Sequence, residues 1–175
     1  TRQVSSAASD VYKRQKMNNK VITIFGAGFI GKSLIFKLLQ NGYFINVVCR
    51  NPYLKGNLRS MGNVGQLEIN YGDITKSNTI ESYFERSDYI INLVGVLAEN
   101  SKNKYSEAHV LGPQNIGLLA KKYNISRLVH ISSIGADKKS NIKYQKTKGE
   151  GEIAIKESYK DVNIIRPSIV FGPED

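Results

Sequence analysis

Gly26-Ala27-Gly28-Phe29-Ile30-Gly31 follows directly on a β-branched apolar run, Val21 to Phe25, and opens a stretch with helical periodicity. Three glycines at this spacing between a strand and a helix share a physical purpose. Gly26 permits a tight turn, Gly28 removes the side chain where an anion must approach the backbone, and Gly31 lets the helix pack close on the strand. The amides at the helix start, around Phe29 and Ile30, then face that anion, and a dinucleotide pyrophosphate fits.

Outward from the turn, Ile30, Leu34, Ile35, Leu38 and Leu39 recur at helical spacing, and Gly42 suits the left-handed position that ends a helix. Short β-branched runs then alternate with longer helical ones. Strands are expected at Val21 to Phe25, Ile45 to Cys49, Leu67 to Tyr71, Tyr89 to Val94, Arg127 to Ser132 and Val162 to Ile165. Helices are expected at about Asn78 to Phe84, Tyr105 to Tyr123 and Tyr144 to Tyr159, with Pro113 kinking the second of these or marking its true start. This alternation predicts an α/β fold, a Rossmann-type doubly wound parallel sheet, over residues 17–175 as one domain.

The second strand bears on the cofactor. An NAD-binding turn of this type usually has Asp or Glu about 20 residues past the glycines, to hold the ribose hydroxyls. Here the position is Arg50, which can pair with a 2′-phosphate, so NADP(H) is favoured over NAD(H); a surface arginine ending a strand is the plain alternative. Lys55 and Arg59 lie close enough in sequence to support the phosphate. In Gly72-Asp73-Ile74, Asp73 suits either an adenine amino group or the capping of the next helix. Gly95, after the fourth strand, allows close backbone approach to a ligand.

Ser132 and Ser133 follow the fifth strand, and Tyr144 and Lys148 stand four apart, on one face of a helix. An ammonium beside a phenol favours the phenolate, which suits acid–base work on a carbonyl or alcohol, with a serine hydroxyl holding the substrate oxygen. Ser133, Tyr144 and Lys148 are therefore the candidate catalytic residues. Lys148 can also bond nicotinamide ribose hydroxyls.

Composition narrows the rest. One cysteine excludes an internal disulfide and a cysteine-rich metal site, and Cys49 in its apolar run reads as a small core residue. Two separated histidines form no ligand cluster, so no metal is expected. No apolar run approaches the roughly 20 residues of a membrane span. Residues 1–16 have no hydrophobic period, and they resemble the in-frame translation of a sequencing-library adapter, so they are expected to be foreign to the fold. Setting aside Arg2, Lys13, Arg14, Lys16 and Asp10 lowers the formal charge from +10 to +7. That excess is mostly scattered lysine, and nucleic acid is not an expected partner.

The chain resembles the short-chain dehydrogenase/reductase superfamily of the extended or atypical kind. GAGFIG, GDI, NLVG, Ser133, YQKTK and Ile165 to Pro173 carry the likeness. Within it, VGQLEINYGDI, RLVHISSIGAD, YQKTKGEGE and IIRPSIVFGPED are most similar to the nucleotide-binding accessory subunit family of respiratory complex I and its bacterial relatives. The resemblance implies NADPH held by a peripheral or assembly subunit, partnered with respiratory-complex subunits and located in the bacterial cytoplasm or at the inner membrane. It also implies Pro167 and Ser168 near the nicotinamide. Two departures, His109 where extended members often carry Asn and Pro113 for a small residue, bear on turnover more than on binding. An active NADP-dependent reductase or epimerase is the alternative, and a redox-sensing regulator a third. The end at Phe171-Gly172-Pro173-Glu174-Asp175 reads as cut before a carboxyl-terminal substrate lobe.

Overall fold

A computed structural model describes residues 18–101 and 103–172. Residues 1–16, expected to be foreign to the fold, lie outside the described residues. Six parallel strands, β1 (Asn18–Phe25), β2 (Tyr43–Cys49), β3 (Leu67–Tyr71), β4 (Tyr89–Asn92), β5 (Arg127–Ile131) and β6 (Val162–Ile165), form one sheet in the order β3-β2-β1-β4-β5-β6. The chain leaves β1 in one direction and returns on its other side at β4. The two halves of the sheet therefore diverge at the carboxyl ends of β1 and β4, where open α/β sheets take ligands.

Alternation along the strands sends successive side chains to opposite faces. Ile22, Ile24, Ile45 and Val47 pack with Ile35 and Leu39 of α1 (Phe29–Gln40) and with Leu58. Phe25, Val48 and Ile90 pack on the other face with Phe84 of the short α2 (Glu81–Phe84), Ile116 and Leu119 of α3 (Gly112–Lys122) and Ile155 of α4 (Lys143–Ser158). Each fully buried side chain of this kind contributes about 1.5–3 kcal/mol of transfer free energy.

Helix α1 ends as its sequence predicts: Gly42 takes φ +80° and its N–H donates to the Leu39 carbonyl. Three elements differ from expectation. Pro52–Met61, unassigned by periodicity, is a run of 3-10 turns. The helix expected from Asn78 is a 3-10 turn, Ser77–Thr79, followed by the single turn of α2. The helix expected over Tyr105 to Tyr123 divides into a π-helical segment, Ser106–Leu111, and α3, with Pro113 in the first turn of α3. Proline has no N–H to give the carbonyl four residues back, and the Gly112 N–H bonds Glu107, five back.

Candidate functional site

A crevice of about 350 Å³ opens at the carboxyl ends of β1 to β4, lined by Gly26, Gly28, Arg50, Asp73, Ile74 and Gly95 among others. Gly26 takes φ +97°, a conformation that suits glycine, and donates its N–H to the Val48 carbonyl at 3.1 Å. A β-carbon on Gly31 would lie 2.8 Å from the Gly26 carbonyl oxygen, so only glycine lets α1 start this close to the turn. Gly28 is different. Among the described residues a β-carbon there would meet nothing within 4 Å, so its absence leaves room over the helix start rather than relieving a clash. α1 begins with no side-chain cap and no acidic residue in its first turn, so the helix itself sets no carboxylate against the amides of Phe29, Ile30 and Gly31. This is a cradle that fits a pyrophosphate.

Around the rest of the crevice, Arg50 is exposed at its mouth and Lys55 lines it, while Arg59 does not. Arg59 lies in a separate groove along β3 with Asn63 and Glu68, because the 3-10 run turns it away. Asp73 lines the crevice and does not cap a helix: its Oδ1 accepts the Thr75 N–H at 3.0 Å and the Thr75 hydroxyl at 2.8 Å, and neither following helix has a side-chain cap. Cys49 is half-buried on the crevice wall instead of lying in the core. Burial pushes its thiol pKa up, against a hydrogen bond from the Asn51 backbone.

The second half of the site sits on α4. Lys148 is 5% exposed and donates through Nζ to the Ile131 carbonyl at 3.0 Å. Burial lowers its pKa to about 8, with the Glu152 carboxylate opposing. Its Nζ approaches the crevice at Gly95, where a β-carbon would stand 3.8 Å away. Glu152, one turn on, is held by Arg166 through Nε–Oε1 at 2.8 Å and Nη2–Oε2 at 2.5 Å. The Arg166-Pro167-Ser168 turn is fastened to the segment after β5, since the Ser132 N–H donates to Ile165 and the Ile134 N–H to Pro167. Pro167 is thereby brought beside Ser133, while Ser168 is exposed. The Ser133 Oγ is buried and has no hydrogen-bond partner among the described residues, a costly state unless a ligand or water satisfies it.

Two glycines seat α4. A β-carbon on Gly149 would come within 2.4 Å of the Lys138 nitrogen, and one on Gly151 within 1.8 Å of the His109 carbonyl oxygen. The residues that sequence spacing passes over are those packed on this helix. His109 is 2% exposed; its Nε2 accepts the Val96 N–H at 3.2 Å and its Nδ1 lies 3.0 Å from the Thr147 hydroxyl. Burial, with the Lys148 charge, lowers its pKa to about 4, so the ring is neutral. Tyr105 stacks on it at 5.1 Å between ring centres, and Tyr144 meets it edge-on at 5.4 Å. Only the tertiary fold brings these groups together, across 38 residues of chain in the case of His109 and Thr147.

The site residues fall into two groups, the crevice lining and the α4 cluster, which meet at Gly95 with Lys148 and at Val96 with His109. A nicotinamide dinucleotide, when bound, supplies a hydride donor or acceptor. This chain's own residues supply the anion cradle, a buried ammonium, a phenol and a serine hydroxyl.

The profile of the NAD dependent epimerase/dehydratase family matches residues 22–174, and the chain belongs to that family. Among individual relatives, it is 32% identical over 164 residues to NADH dehydrogenase (ubiquinone) 1 alpha subcomplex subunit 9, mitochondrial, of Rattus norvegicus, covering 93% of this chain and 44% of that protein. It is 28% identical over 163 residues to the NADH-ubiquinone oxidoreductase 40 kDa subunit, mitochondrial, of Neurospora crassa, with the same coverage of 93% and 44%. The chain thus spans less than half the length of these relatives. Its fold is that of the Bordetella bronchiseptica enzyme WbmG, solved in complex with NAD, at a TM-score of 0.66 and 20% identity over 86% of this chain and 53% of that one.

Proposed function

We propose that this chain forms the NADP(H)-holding domain of a peripheral accessory or assembly subunit of respiratory NADH:quinone oxidoreductase. The observation that carries the cofactor choice is the pairing of Arg50 and Lys55 on the crevice wall past β2, where a carboxylate would serve a free ribose. The partner is supported by relatives that are themselves subunits of that oxidoreductase. Among the described residues no helix is long and apolar enough to cross a membrane. The proposed attachment runs through partner subunits on the cytoplasmic side of a bacterial inner membrane.

Fluorescence titration tests the cofactor. NADPH binds at least about tenfold more tightly than NADH, and Arg50→Asp reverses the order, since one charge-assisted pair is replaced by repulsion. Tighter NADH binding by the unaltered chain would overturn the choice. Comigration of the tagged full-length protein with the respiratory complex on native gels tests the partner.

A second reading, an active NADP-dependent reductase or epimerase on a small carbonyl, alcohol or nucleotide-sugar substrate, is favoured by one observation. Among the described residues Ser133 Oγ is buried without a partner, two residues past the Ile131 carbonyl that anchors Lys148. In that reading Ser133 holds the substrate oxygen, Tyr144 moves the proton and Lys148 bonds the nicotinamide ribose hydroxyls. Unchanged turnover in Tyr144→Phe would exclude it.

A further inference from the structure

We propose that His109 is the positioning residue of this site: two hydrogen bonds from its ring lock the Tyr144–Lys148 face of α4 to the crevice wall at Val96. The tautomer follows from the partners. Because Nε2 accepts the Val96 N–H, the ring proton is on Nδ1 and is donated to Thr147 Oγ1, whose own hydrogen goes to the Lys143 or Tyr144 carbonyl. The ring and the Thr147 hydroxyl each serve once as donor and once as acceptor between the Val96 N–H and a helix carbonyl, so the ring has a single orientation.

The contacts fall on one face of one helix. Tyr144, Thr147 and Gly151 are spaced by three and four, and His109 meets the first in a T-shaped ring contact, the second through Nδ1 and the third through its backbone carbonyl. Pro113 contributes too, since it cannot donate to that carbonyl within the helix. On the opposite side, the Val96 bond holds the segment that follows Gly95, against which Lys148 Nζ lies. Loss of both ring bonds would leave the part-buried Val96 N–H without its ring acceptor and free α4 to shift relative to the crevice. The affinity arm of the test rests on the crevice being a dinucleotide site; the spectroscopic arm does not.

The experiment uses the full chain labelled with 13Cζ-tyrosine, the Tyr144 resonance being assigned by its loss in Tyr144→Phe. His109→Phe keeps an aromatic ring and removes both bonds; His109→Gln offers an acceptor and a donor of similar reach. In His109→Phe the Tyr144 resonance moves and NADPH binds about tenfold more weakly, while the Tyr43 resonance on β2 stays in place. His109→Gln recovers most of the affinity, to within about threefold, and returns the Tyr144 resonance toward its original position. Thr147→Val, which removes one of the two bonds at nearly constant volume, shifts the same resonance in the same direction and carries the test if His109→Phe does not fold. Identical behaviour of the Gln and Phe variants, or an unmoved Tyr144 resonance in both His109→Phe and Thr147→Val, would overturn the proposal. Failure of the unaltered chain to bind NADPH would count against the proposed function and leave the Tyr144 resonance to decide the role of His109.

Discussion

Gly151 faces the carbonyl oxygen of His109 so closely that a β-carbon at that position would lie 1.8 Å from it. Helix α4 and the π-helical segment are in backbone contact there, as α4 is with Asp137 and Lys138 at Gly149, which is why a helix with two interior glycines is tolerated. Glycine ordinarily costs a helix about 0.5–1 kcal/mol relative to alanine, and here close packing offsets the loss. Gly151→Ala therefore destabilises the fold by at least about 2 kcal/mol, since backbone atoms cannot step aside as a flexible side chain could. Urea denaturation checks this; a neutral or stabilising result would mean that the two segments are not in contact.

Gly28→Ala has the opposite signature. A methyl group there meets no atom of the other described residues within 4 Å, so folding stability changes by less than about 0.5 kcal/mol. Dinucleotide affinity falls by about tenfold or more, because the methyl group occupies the space where the pyrophosphate must approach the backbone. Paired measurements of thermal melting and cofactor titration separate the two effects, and retained affinity would disprove the cradle.

Acid lability follows from the two buried histidines. Burial lowers the pKa of His130 to about 3, with Lys148 adding to the effect, and that of His109 to about 4. Both are neutral in the folded protein and protonate near 6.5 once unfolded. Their contribution is fully present above the unfolded pKa and is lost as pH falls from there toward the folded values, because the unfolded chain takes up more protons. Stability should thus fall between about pH 6 and pH 5, each histidine adding up to about 1.4 kcal/mol per pH unit. The measurement is the urea midpoint against pH. A flat profile in that window would place both rings in contact with water.

The glycine turn, the six strands and the Tyr144–Lys148 spacing were legible because each depends on neighbours a few residues apart. Strand ends moved by one to three residues, and the helix after β4 changed character at Pro113, where a missing N–H overrides periodicity. Arg59 and Cys49 were misplaced for a different reason. Sequence distance put Arg59 near Arg50, but the 3-10 run after Pro52 sends it to the β3 groove; an apolar neighbourhood put Cys49 in the core, but its place at the carboxyl end of β2 sets it on the crevice wall.

By itself the sequence determined that a parallel α/β sheet would form and that a glycine turn would lie at its centre, since both follow from local spacing and backbone freedom. Tertiary structure alone decided which cations line the crevice and how the Tyr144–Lys148 helix is held. Val96, His109 and Thr147 come from three separate elements, and no local pattern records that their hydrogen bonds will close on one another.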